Sequence, residues 1–96
     1  MTLHVALFAK AAAALAQYDP TLPPEAASVF AVLSSSGTLT APGIARRLNL
    51  AQSTVLRHIA LLILAGLVVQ DSGPEERAPR YQLTDLGRSL AVELGI

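Results

Sequence analysis

From Thr40 to Val69 the apolar positions of the chain repeat at two different periods. Ile44, Ala45 and Leu48 recur at helical spacing and give one buried face. After Asn49-Leu50-Ala51, a three-residue turn, Val55, Ile59 and Leu62 fall at i, i+4 and i+7, again on one face. Gly66 suits the left-handed residue that often closes a helix. The unbroken run Leu67-Val68-Val69 is β-prone and predicts a strand. Two short helices, a turn and a strand are therefore expected at the centre of the chain.

The flanks take the same reading. Thr2 to Tyr18 is alanine-rich and a strong helix former. Leu3, Leu7, Ala11 and Ala14 share one face, and Val5, Phe8, Ala12 and Leu15 another, so this helix needs apolar partners on two sides. A cleaved leader is the competing reading, because Ala-Ala-Ala-Ala-Leu-Ala-Gln offers a small-residue site. Against it, no basic residue precedes the apolar run and Lys10 interrupts it. Pro20, Pro23 and Pro24 end the helix. A second helix is expected over Glu25 to Ser34, with Val29, Phe30 and Leu33 facing the core and Ser34-Ser35-Ser36-Gly37 closing it. Thr38-Leu39 suggests a very short strand, and Thr40 is a good N-cap ahead of Pro42. Beyond Gln70, a polar loop holding Gly73, Pro74 and Pro79 leads to a return strand over Arg80 to Leu83. Thr84 caps a last helix from Asp85 to about Gly95, with Leu86, Leu90 and Leu94 in one stripe and Asp85 well placed for the helix dipole.

Ile44, Ala45, Leu48, Leu50, Ser53, Thr54, Val55, His58, Ile59, Leu62, Gly66, Leu67 and Val68 stand in one ungapped register that resembles the helix-turn-helix of bacterial winged-helix regulators of the MarR and ArsR type. Tyr81, Leu83, Thr84, Gly87 and Arg88 are similar to the end of the wing and the start of the final helix in MarR-like proteins, so the resemblance spans residues 28 to 91. It implies a mainly α fold with a small β-hairpin: a winged helix-turn-helix over residues 19–96, here with an added N-terminal helix over residues 1–18. It also implies a cytoplasmic, sequence-specific regulator that binds double-stranded DNA. The two apolar faces of the 1–18 helix add a further expectation: one packs on its own domain and the other on a second copy, making it a dimerisation helix and the protein a homodimer.

Composition and charge change this picture in part. The chain has 96 residues, enough for one domain, and is 52% hydrophobic but only 15% charged. No apolar run reaches the roughly 18 residues that span a bilayer, so the apolar excess is expected to meet another protein chain rather than a membrane. The absence of cysteine excludes disulfides and thiolate metal sites, and His4 and His58 have no acidic cluster around them, so no metal or cofactor is expected. Net charge is zero, but six arginines (Arg46, Arg47, Arg57, Arg77, Arg80, Arg88) face four acids (Asp71, Glu75, Glu76, Asp85) in the central and C-terminal stretch, a local excess of two. Arginine's planar fork suits phosphate and guanine.

In winged-helix proteins the second motif helix lies in the major groove. Its outward positions here are Gln52, Ser53, Leu56, Arg57 and Ala60. Gln52 suits adenine and Arg57 guanine, while Ser53 and Thr54 offer hydroxyls or first-turn amides to a phosphate. A polar first turn and a surface arginine are also what solvation alone would select. His58 either touches phosphate or packs at the helix edge. Arg46 and Arg47 lie opposite Ile44 and Leu48 and suit either the phosphate backbone or plain solvent. Arg77 near the hairpin tip is expected at a minor groove, although Glu75 and Glu76 repel phosphate beside it, and Arg80 either contacts backbone or pairs with an acid. Leu3, Leu7, Phe8, Ala11, Leu15, Leu90 and Leu94 are the expected dimer contacts.

Three departures from the resemblance stand out: Ala51 where a capping serine is usual, apolar Leu56, Ala60 and Leu61 where polar residues are usual, and the further apolar Ile63 and Leu64. They support a rival function, a winged helix that binds a protein partner through the apolar face of the Gln52–Leu64 helix. Catalysis is not expected. No nucleophile–base–acid set, paired carboxylates or glycine-rich phosphate loop occurs, and Ser53, Thr54 and His58 on one helix do not make a triad.

Overall fold

The computed structural model describes residues 3–71 and 78–95, with the side chains of the first helix from residue 9 onward. The elements are α1 (Leu3–Tyr18), α2 (Pro24–Ser36), β1 (Leu39–Thr40), α3 (Ala41–Leu48), α4 (Gln52–Leu64), β2 (Val68–Gln70), β3 (Arg80–Leu83) and α5 (Asp85–Leu94). The mainly α winged-helix architecture expected from the sequence is the one observed.

Local chemistry sets most of the boundaries. The Gly43 N–H donates to Thr40 Oγ1 at 3.1 Å, which starts α3. Asn49 closes it in the left-handed region at φ 56°. At the end of α4, Gly66 takes φ 81°, and the Leu67 N–H returns to the Leu62 carbonyl at 3.0 Å. The Gly87 N–H donates to Thr84 Oγ1 at 3.0 Å and opens α5. Ala51 precedes α4 without a side-chain cap, as its side chain dictates.

The hairpin is one strand wider than the sequence suggests. β3 is the middle strand of a three-stranded antiparallel sheet of order β1-β3-β2. Leu39 pairs with Tyr81 and Thr40 with Arg80, while Val68 pairs with Leu83. The sheet thereby ties the entry of α3 to the wing.

The core contains Phe30, Leu33, Ile44, Val55, Ile59, Leu62 and Leu67, each at or below 2% exposure. Ala11 and Leu15 of α1 belong to it, as do Ala91 and Leu94 of α5. This corrects the expected dimer contacts. Ala11, Leu15 and Leu94 are consumed by their own protomer, and Leu90 is half-buried against the same core. The cause is the proline turn after Tyr18, which folds α1 back onto α2. The Tyr18 hydroxyl donates to the Ala65 carbonyl at 3.0 Å, fixing the end of α1 to the end of α4. The side chains of Leu3, Leu7 and Phe8 lie outside the described residues. No described helix is long and apolar enough to cross a membrane.

Candidate nucleic-acid interface

α4 divides cleanly into two faces. Val55, Ile59 and Leu62 are buried, and Gln52, Ser53, Leu56, Arg57 and Ala60 are all exposed. Thr54 is half-buried at the edge. The outward face expected from helical spacing is thus presented to solvent by a helix anchored on three apolar side chains.

His58 is the exception. It was expected either at phosphate or at the helix edge, and it is 2% exposed, packed inward where it cannot reach a duplex. Neither ring nitrogen has a hydrogen-bond partner among the described residues, and the nearest carboxylate oxygen, Glu25 Oε2 on α2, stands 3.9 Å from Nε2. Burial, and after it the Arg57 guanidinium, hold the imidazole below its ordinary value, with the Glu25 carboxylate acting the other way. The folded protein therefore favours neutral His58. Its contribution to stability is complete above the unfolded value near 6.5 and is lost as the pH falls through the lower folded value. Urea midpoints between pH 7 and pH 5 should decline, and His58→Leu should flatten that decline without loss at pH 7, since it removes two unpaired buried nitrogens. An equally steep decline in the variant would assign the acid sensitivity to other groups.

Arg46 and Arg47 are exposed, and with Arg80 they line one open cleft together with Thr38, Thr40 and Gly43. Arg47 Nη1 donates to Ser36 Oγ at 3.1 Å, which orients its guanidinium along the end of α2. β1 brings these arginines together, because the Thr40–Arg80 pairing sets the first residue of β3 beside α3. Arg77 lies outside the described residues. Sequence reasoning did not find a second cleft, of about 330 Å³, where Ala41, Pro42, Gln52, Leu56, Ala78, Pro79 and Tyr81 meet. Its one sequence signal was Leu56, the large apolar residue among the outward positions. Among the described residues no group of three His, Asp or Glu side chains gathers as metal ligands.

An anchored helix with a polar outward face, preceded by a short helix and flanked by a β-wing, defines a winged helix-turn-helix, a class of transcriptional regulators and not of enzymes. The chain belongs to the helix-turn-helix domain family, whose pattern matches residues 22–71. It is similar to the transcriptional regulator AdcR of Streptococcus pneumoniae, with 38% identity over 63 residues, which is 65% of this chain and 43% of that protein. The chain thus spans less than half the length of this curated relative. Among solved structures it is similar to NMB1585, a MarR family regulator from Neisseria meningitidis (26% identity, TM-score 0.64, covering 71% of this chain and 49% of that one). RV1404 from Mycobacterium tuberculosis shares the fold along nearly the whole chain (24% identity, TM-score 0.77, covering 97% of this chain and 62% of that one).

Proposed function

We propose that the chain binds double-stranded DNA sequence-specifically and regulates transcription, acting in the cytoplasm as a homodimer. The observation that carries this reading is the exposed row Gln52, Ser53 and Arg57 on a helix held from behind by Val55, Ile59 and Leu62. Gln52 and Arg57 have the forks that pair with adenine and guanine edges. The uncapped first turn of α4 leaves its amides for a phosphate, with Ser53 and Thr54 beside them. The cleft of Arg46, Arg47 and Arg80 takes the backbone, which supplies affinity and register rather than sequence. Arg77 is assigned to the minor groove or backbone on its place in the wing alone.

A protomer of zero net charge has a weak field, and pairing doubles the arginines that face one duplex. With Ala11, Leu15 and Leu94 in the core, pairing falls to Leu3, Leu7, Phe8 and Leu90. A two-fold dimer sets its recognition helices roughly 34–36 Å apart on one side of the duplex. The rival, a protein-binding winged helix, is favoured by Leu64 and Ile63, which are 84% and 40% exposed at the far end of α4.

Selection from a random duplex library at low salt tests the reading. The expected product is a pseudo-palindrome with half-sites one helical turn apart, and its affinity should fall steeply with salt. A single half-site bound by a monomer in light scattering would remove the dimer. No binding to any duplex at low salt would overturn the DNA reading in favour of a protein partner.

A further inference from the structure

We infer that Leu56 is a specificity-determining residue that reads the C5-methyl group of a thymine in the major groove, beside a base pair read by Gln52. The inference rests on the DNA-binding reading above and narrows it to a base.

Leu56 stands in the middle of the outward face of α4, one turn after Gln52 and one turn before Ala60, with Arg57 next to it. It is 41% exposed, and the helix does not need it for anchoring, because Val55, Ile59 and Leu62 already fill the buried face. On one flank it borders the apolar cleft that Ala41, Pro42, Pro79 and Tyr81 also line, and on the other it is open to solvent. An exposed leucine at this position presents an apolar surface at the place where its helix meets a duplex.

The chemistry of the major groove offers that surface few partners. Guanine presents N7 and O6, adenine N7 and N6, cytosine N4, and thymine O4 together with a methyl group. Opposite cytosine or a purine, a leucine covers a polar edge it cannot pair, which costs free energy. Opposite thymine it covers a methyl. Gln52 lies four residues earlier on the same face and lines the same cleft, and its amide fits adenine bidentately. The pair therefore specifies A·T base pairs at neighbouring positions. A docking protein fits this part of α4 less well. The immediate outward neighbours of Leu56 are Gln52, Ser53, Arg57 and the small Ala60, and the far more exposed apolar side chain, Leu64, lies two turns further along the helix.

The test uses the best duplex from the selection, with each thymine replaced in turn by deoxyuridine, which lacks only the methyl. For the wild type, one thymine per half-site should show a loss of about three- to five-fold, the effect of one methylene-sized group. Leu56→Ala should bind the unmodified duplex more weakly by a similar factor and be indifferent to deoxyuridine at that position. Placing 5-methylcytosine there, paired with guanine, should outperform unmethylated cytosine for the wild type and not for Leu56→Ala. Leu56 is outside the core, and an unchanged unfolding midpoint would confirm that the variant reports on contact alone. Tight binding with no thymine sensitive to deoxyuridine, or a sensitivity that persists in Leu56→Ala, would overturn the assignment while leaving DNA binding intact. Failure to bind any duplex would overturn both.

Discussion

Gly87→Ala should lower stability by about 3 kcal/mol, at a helical position where alanine ordinarily adds up to about 1 kcal/mol over glycine. Gly87 is the third residue of α5, and a Cβ on it would collide with the Leu67 carbonyl oxygen and lie 3.3 Å from Leu83 Cβ. The carbonyl cannot swing aside freely. It accepts the Thr84 N–H at 2.9 Å, while Thr84 Oγ1 donates to the neighbouring Gly66 carbonyl at 2.6 Å. Relief requires α5 to tilt off the sheet or the start of β2 to move, and either breaks those bonds. The effect reaches α4, because the Leu67 N–H also closes the end of that helix on the Leu62 carbonyl. In a domain of this size the loss corresponds to a fall in Tm on the order of 10–20 °C. An unchanged or raised Tm would show that α5 can move away from Leu67 at little cost.

That close approach was not legible in the sequence, and the reason is general to this chain. Thr40 and Thr84 could be read as caps because a cap is local chemistry: a hydroxyl, a backbone amide three residues on, and an apolar run behind them. Gly87 could not, since its role depends on the carbonyl of Leu67, twenty residues earlier in another element. β1 was foreseen only as a fragment, because two residues carry no period, and its pairing with Tyr81 and Arg80 is set by the packing between them. α1 misled for a third reason. A helix apolar on two faces has no polar side to mark which face its own domain claims, and the turn at Pro20 to Pro24 gives Ala11 and Leu15 to the core.

The site was legible to the same degree. Period alone separated Val55, Ile59 and Leu62 from Gln52, Ser53, Leu56, Arg57 and Ala60, because one helix has one buried stripe. The same period puts His58 inside the stripe, three residues after Val55 and four before Leu62. Its polar character argued for the outside, and packing prevailed at the cost of two unpaired nitrogens. Arg46, Arg47 and Arg80 were found one by one, but their convergence on a single cleft needed the β1–β3 pairing.

Arg57→Ala should cost about 1–3 kcal/mol of affinity at the best selected duplex, a loss of roughly five- to 150-fold, and should relax preference at one base pair per half-site. Arg57 is exposed on the face of α4 that also carries Gln52 and Leu56, and Ile59 and Leu62 pin the helix beneath it. A guanidinium there can reach a guanine edge with two parallel hydrogen bonds, which a point charge cannot imitate. Arg57→Lys separates the two roles this side chain can have. If Arg57 reads guanine, lysine restores little of the discrimination, and the substituted protein binds cognate and mutated duplexes more nearly alike. If Arg57 only neutralises phosphate, lysine restores most of the affinity, and the loss in Arg57→Ala is uniform across sequences with a shallower salt slope. The cleft arginines supply the internal comparison. Arg46→Ala should follow the phosphate pattern, so both variants following it would move base reading away from Arg57 and leave Gln52 and Leu56 as the readers on α4.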